Sequence, residues 1–596
     1  MASLKLLLLF GGFLSSLQAV LVSSEASVNP CCSFPCENGG VCVDDGDKYT
    51  CDCTRTGHYG VNCQKPSWST WFKSLIAPSE QTKHFLLTHF NWFWWIVNNV
   101  AFIRNPLMRA VYFSRTDFIP VPHVYTSHHE YPTMEAHYNR SYFARTLPPV
   151  PKNCPTPFGV AGKKELPPAE EVANKFLKRG KFKTDHTNTS WLFMFFAQHF
   201  THQFFKTIYH KPAFTWGNHG VDVSHIYGQD IERQNKLRSF KDGKLKSQMV
   251  NGEEWPPYLK DVDNVTMQYL PNTPEDQKFA LGHPFYGMLP GLFMYAAIWL
   301  REHNRVCTIL RKEHPHWEDE RLYQAGKLII TGELIKIVIE DYVNHLANYN
   351  VKLKYNPELL FDSGFDYDNR IHVEFNHMYH WHPFSPDEFD VSGTTYTIDE
   401  FMYHPEIVVK HGMSSFVDSM SKGLCGKMSH HNHGKHTLDV GVEVIKHQRE
   451  LRMQSFNNYR KHFGLKPYTS FQEMTDDPKM AAELQEIYGD VNAIDLYVGF
   501  FIEKGLTTSP FGITMIAFGA PFSLRGLLSN PVSSATYWKP STFGGDVGFD
   551  IVKTATLEKL FCQNISGKCP LVTFTVPDSI ARETRKVLAA SAKDEL

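Results

Sequence analysis

From about Phe193 onward, apolar residues recur at three- and four-residue intervals over long segments, and strictly alternating runs are few. That periodicity predicts a mainly helical body. Residues 191–206, WLFMFFAQHFTHQFFK, are apolar enough for a buried helix, with Gln198 and His202 one turn apart on the same face. Residues 372–383, HVEFNHMYHWHP, place Tyr379 three residues before His382, so both are expected on one helix face. Nearer the start, residues 68–115 carry Trp68, Trp71, Phe72, Leu75 and Ile76 at helical spacing, then Trp92-Phe93-Trp94-Trp95-Ile96-Val97. Lys73, Lys83, His84, Arg104 and Arg109 are interleaved with them. Pro78 and Pro106 divide this stretch into short helices. Aromatic faces with basic residues describe helices that lie in one leaflet without crossing it. Past the first residues no run reaches the roughly 18 apolar positions of a membrane span.

The extreme ends carry targeting patterns. Lys5, the apolar run 6–14 and small residues near Ala19 and Ser23 read as a cleavable secretory signal over residues 1–24. Lys593-Asp594-Glu595-Leu596 is the retrieval signal of the endoplasmic reticulum lumen. Sequons at Asn139, Asn188, Asn264 and Asn564 suit that compartment. So do the cysteines, seven of twelve of which fall between Cys31 and Cys63. A segment that short cannot bury a sufficient core, so disulfides must hold it. Its Cys36-Glu37-Asn38-Gly39-Gly40-Val41-Cys42 and its ending Gly57-His58-Tyr59-Gly60-Val61-Asn62-Cys63 resemble an EGF-like module. That resemblance implies Cys31–Cys42, Cys36–Cys51 and Cys53–Cys63; spacing alone leaves the connectivity open. Cys32 is then odd, with Cys154 its natural partner, and Cys562 and Cys569 are expected to close a small loop. Cys307 and Cys425 remain as buried thiols. A formal net charge of −2 offers no electrostatic footprint for nucleic acid.

Thirty histidines and 14% aromatic residues hint at haem chemistry without establishing it. A haem iron needs one axial imidazole from the protein, and a tyrosine close to that ligand is placed to give up an electron. His382 and Tyr379 satisfy both needs. The run Trp299-Leu300-Arg301-Glu302-His303-Asn304-Arg305-Val306 is long and specific to animal haem peroxidases; its charges are expected to pair and brace helices, and His303 is not assigned to iron.

Taken together, AQHFTHQFF, WLREHNRV, EFNHMYHWHP, GAPFSLRGLL and YWKPSTFGG resemble the prostaglandin G/H synthases (cyclooxygenases) over nearly the whole mature chain. The resemblance implies a mainly α fold: an EGF-like β module at 27–66, membrane-binding helices at 67–116, a helical haem peroxidase and cyclooxygenase domain at 117–580, and a tail at 581–596. It implies one haem b per subunit, with His382 as proximal ligand, His202 as distal histidine and Gln198 as its companion. Tyr379 would form the radical, Arg115 would bind the fatty-acid carboxylate beside Tyr349, and Ser523 would match the serine that aspirin acetylates. Tyr342, Val343, Leu346, Phe375, Trp381, Phe511, Ile516 and Leu524 would line the channel. The reaction implied converts arachidonate, or a related polyunsaturated fatty acid, and two O2 to a hydroperoxy endoperoxide. The hydroperoxide is then reduced, in a homodimer on the lumenal face of the endoplasmic reticulum. Ser523 lacks a G-x-S-x-G elbow, so it reads as a wall and not as a nucleophile.

The chain departs from the family at Ile513 and Ala517, where glutamates often stand near the arginine. Arg115 is therefore expected to have fewer internal partners and to lean on substrate carboxylate, or instead to be better hydrated. Leu506 replaces a basic residue, and with Ile516 nearby it gives little support to a polar side pocket. His404-Pro405-Glu406 occupies the position usually glycosylated on the catalytic domain. A secreted peroxidase acting on other reductants would need neither Arg115 nor Tyr379; an adhesion protein would need none of His202, His382 and Tyr379.

Overall fold

The computed structural model describes residues 28–126 and 129–594. The expected signal at 1–24 and the last two residues of the retrieval signal lie outside them. Contacts divide the chain into two compact units. Helix α1 (Trp68–Ile76) and residues 150–165 group with the EGF-like segment, and residues 77–149 group with the remainder of the chain.

The first unit is held chiefly by sulfur. Strands β1 (Val41–Asp44) and β2 (Tyr49–Asp52) pair antiparallel with Cys42 opposite Cys51. Disulfides join Cys31 to Cys42, Cys36 to Cys51 and Cys53 to Cys63, and Cys32–Cys154 ties the module to residues 150–165. All are the pairs expected. On α1, Trp68, Trp71, Phe72 and Leu75 stand exposed.

The second unit is helical. Helices α2 (Glu80–Thr88), α3 (Asn91–Asn99) and α4 (Ala101–Thr116) come first. Trp92, Trp95 and Phe102 stay exposed, Phe102 to 88%. Helix α5 (Trp191–Thr201) starts at Ser190, whose hydroxyl accepts from the Phe193 amide. It packs on the long central helix α6 (Pro290–Glu313). Gly291 permits that approach, since a Cβ there would sit 2.1 Å from the Phe195 ring. In α6 the expected bracing pairs are present: Arg301 reaches the Glu253 carboxylate at 2.9 Å, and Arg305 grips Glu302. His303 is spoken for at both nitrogens, with Nε2 donating to the Gly243 carbonyl and Nδ1 accepting from the Tyr227 hydroxyl.

Helix α7 (Asp319–Ile337) runs into a π-helical segment, Val338–Val343, the kind of local widening often found at functional sites. Short helix α8 (Val373–Met378) and helix α9 (Ile513–Leu528) complete the elements that matter below. No described helix is long and apolar enough to cross a membrane. Cys562 and Cys569 are bonded, and Cys307 and Cys425 are free and buried. Among the sequons, Asn264 is exposed, whereas the Asn188 amide donates to Asp578 and that of Asn564 to Glu302 and the Leu560 carbonyl.

Candidate active site

His202 caps the C-terminus of α5, one turn after Gln198. Its Nδ1 bonds the Gln198 carbonyl, so Nδ1 must carry the proton and Nε2 is left as a free acceptor. The Phe285 ring stacks on the imidazole at 5.0 Å, and His283 meets it edge-on at 5.2 Å. Burial pulls the pKa of His202 down to about 4, with the neighbouring Lys206 and His380 pushing the same way and the Gln198 bond opposing, so the ring is neutral near pH 7. His382 is pushed to about 3, first by burial, then by His380 and more weakly by His202. The two imidazoles are thus near enough to feel each other, and each keeps part of its surface accessible. His382 Nδ1 is buried without a protein partner. Two neutral, partly accessible rings brought near each other from separate elements suit a haem, which a neutral imidazole could hold.

Tyr379 and His382 do not share a helix face, contrary to the reading of their spacing. Helix α8 ends at Met378, Tyr379 is its C-terminal cap, and His382 opens a separate 3-10 turn, His382–Phe384. The cause is Pro383, which has no N–H to offer the Tyr379 carbonyl, so an α-helix cannot run through it. The chain instead turns at Trp381, whose ring stacks on Tyr379 at 4.0 Å. The Tyr379 and Tyr342 hydroxyls are 3.1 Å apart. Burial raises the Tyr379 pKa above that of an ordinary phenol, against the smaller pull of the Tyr342 and Ser523 hydroxyls. The phenol therefore keeps its proton at neutral pH.

Tyr379 also lines a cavity. A space of about 460 Å³ is lined by Lys83, Arg115 and Tyr349 as well as by Tyr379, Trp381 and Ser523. That size lies in the range of about 300–1,000 Å³ usual for small-molecule sites. A smaller adjoining space, walled by Phe200, Phe204, Tyr342 and Phe375, shares Val343, Tyr379 and Ser523 with it. Every residue expected to touch substrate lines one or both spaces: Arg115, Tyr349, Leu346, Trp381, Phe511, Ile516 and Leu524 the large one, Tyr342 and Phe375 the small one, Val343 and Ser523 both. The π-helical segment turns Tyr342 and Val343 into these walls. Leu506 packs against the hydrophobic core.

Arg115 corrects the expectation drawn from Ile513 and Ala517. It is neither short of a partner nor well hydrated: at 8% exposure it is buried, and its Nη1 lies 2.5 Å from the Glu80 carboxylate, itself 5% exposed. Glu80 also takes Lys83 at 2.7 Å. Burying a guanidinium alone is costly, and Glu80 meets that cost from another helix. The sequence gives a local clue only: Ser79 caps α2 and Glu80 and Lys83 sit three apart, while the link to Arg115 spans 35 positions. Lys83, Glu80, Phe285 and His283 are the site residues that the sequence did not single out.

Comparison with known proteins places these features. The animal haem peroxidase family matches residues 217–568. Prostaglandin G/H synthase 2 of Bos taurus is 51% identical over 583 residues, 96% of either chain. Prostaglandin G/H synthase 1 of Mus musculus is 52% identical over 555 residues, 92% of either. Among solved structures, a fatty acid alpha-dioxygenase of Oryza sativa shares the fold at a TM-score of 0.61 and 18% identity, covering 84% of this chain and 99% of that one. Peroxidase A of Dictyostelium discoideum does so at 0.59 and 19%, covering 73% and 95%.

Proposed function

This chain belongs to the prostaglandin G/H synthase family, within the animal haem peroxidases, and we propose that its residues divide two linked reactions between the His202–His382 pair and the cavity. The protein is a haem-binding dioxygenase and peroxidase that converts arachidonate and two O2 to prostaglandin G2 and reduces it to prostaglandin H2. Haem, when bound, supplies the oxidising equivalent that turns the Tyr379 phenol into a radical. His382 would hold the iron, at one haem b per subunit. His202, neutral with Nε2 free, accepts the proton of an incoming hydroperoxide and returns it to the departing oxygen. Gln198 fixes the tautomer that makes this possible.

In the cavity, Arg115 and Tyr349 engage the substrate carboxylate, and the apolar walls bend the acyl chain past Tyr379. The tyrosyl oxygen takes a bis-allylic hydrogen atom, leaving a carbon radical to which the two O2 molecules add. The Tyr342 hydroxyl holds the phenol in place, and Ser523 is a wall. The observation that carries this reading is a cavity of about 460 Å³ lined by both the Arg115 guanidinium and the Tyr379 phenol. Oxygen uptake and product analysis with the haem-reconstituted protein and arachidonate test it: endoperoxides are expected, and hydroperoxide reduction without oxygen uptake would contradict it.

The exposed aromatic residues of α1, and those of α3 and α4, support insertion into one leaflet. Flotation with vesicles that persists in high salt is the expected outcome. Residence in the endoplasmic reticulum lumen rests on the two terminal signals and the disulfides. A homodimer, and glycans at Asn139, Asn188, Asn264 and Asn564, follow from the family and the sequons; Asn264 is the most accessible of the four.

A further inference from the structure

Two cations, not one, face the cavity at its charged walls. Lys83 and Arg115 both line it, whereas Glu80, which joins them, does not. Glu80 sits at the first position of α2, where Ser79 caps the helix and the helix dipole favours a carboxylate. From there it reaches Arg115 Nη1 with one oxygen and Lys83 Nζ with the other. Arg115 Nε and Nη2 make no hydrogen bond to protein among the described residues, and a guanidinium has five donors in all. Lys83 likewise keeps donors to spare, with a third of its side chain accessible. The three groups sum to one positive charge, which one carboxylate neutralises.

The geometry points to Lys83 as a second residue that binds the substrate carboxylate, with Glu80 as the positioning residue that holds Lys83 and Arg115 as a pair. This builds on the reading of the cavity as a fatty-acid site. Arg115 offers a planar fork and Lys83 a mobile point charge, so a carboxylate can use the fork while Lys83 follows it. The clamp selects a charged head group: a neutral ester of the same chain gains nothing from Lys83.

The haem-reconstituted full chain, with arachidonate and its methyl ester as the two probes, tests this. Lys83→Gln should raise KM for arachidonate about fivefold to tenfold, the loss of about 1–1.4 kcal/mol from one charge-assisted contact, and shift KM for the ester by less than about twofold. Lys83→Arg should restore most of the difference. Glu80→Gln should erode the preference for acid over ester by loosening both cations. Peroxidase turnover and the haem absorbance of each variant establish that it is folded. An arachidonate KM unaltered in Lys83→Gln, or one that rises equally for acid and ester, overturns the inference. Should the unsubstituted protein oxygenate neither probe, the fatty-acid reading itself fails.

Discussion

The His202–His382 pair and the cavity lined by Arg115 and Tyr379 lie in the same helical unit, yet they handle polarity differently. At the pair, burial strips charge from polar rings: His202 and His382 are pushed to pKa values of about 4 and 3, which leaves lone pairs for iron and for a proton. In the cavity, apolar walls leave polarity at selected points, and there Arg115 is paired with Glu80, which also takes Lys83. A neutral imidazole can exchange protons, whereas a paired guanidinium can only hold an anion. The chain thus separates proton transfer from substrate anchoring, and Tyr379, which lines the cavity, is the group that would carry the oxidising equivalent from the first site to the substrate of the second.

The sharpest way to break that separation is to remove the shared requirement. His382→Ala should abolish haem absorbance and with it both activities, measured as oxygen uptake and hydroperoxide reduction. Next in size, His202→Ala should slow hydroperoxide reduction by about 10²–10⁴, the usual worth of a general acid–base group. The pH dependence has a definite sign. His202 accepts a proton only when neutral, and its value is lowered from 6.5 to about 4. Peroxidase turnover should therefore be retained above pH 6 and be lost as pH falls through about 4. A loss centred near 6.5 would mean the ring is not desolvated. A smaller effect, confined to the cavity, is expected at Gly519. A Cβ there already approaches Met378 to 3.3 Å, and the residue lines the substrate space. Gly519→Leu should cut oxygen uptake with arachidonate about tenfold, equivalent to about 1.4 kcal/mol of overpacking, while hydroperoxide reduction changes little.

What the sequence disclosed follows the same division. Local features were legible: the buried helix bearing Gln198 and His202 and the bracing charges of α6; the disulfide pairs of the EGF-like module came from its resemblance, since spacing alone left them open. Spacing misled at Tyr379 and His382, because a three-residue interval implies a shared face only if the helix continues, and Pro383 ends it. The partner of Arg115 was illegible for a different reason. Glu80 lies on another helix, and no local pattern encodes a contact between helices 35 residues apart. Two missing acids near the arginine suggested a loss, and the structure instead supplies the carboxylate from α2. The walls of the cavity were named from resemblance, and their convergence on two adjoining spaces is a property of the packing.

The central claim is that one phenol links the two sites, and Tyr379→Phe tests it most directly. With haem bound, the variant should keep reducing hydroperoxides while its arachidonate-dependent oxygen uptake falls at least about 100-fold, a barrier increase of about 2.7 kcal/mol or more. Endoperoxide formation by Tyr379→Phe at the rate of the unsubstituted protein would contradict the account.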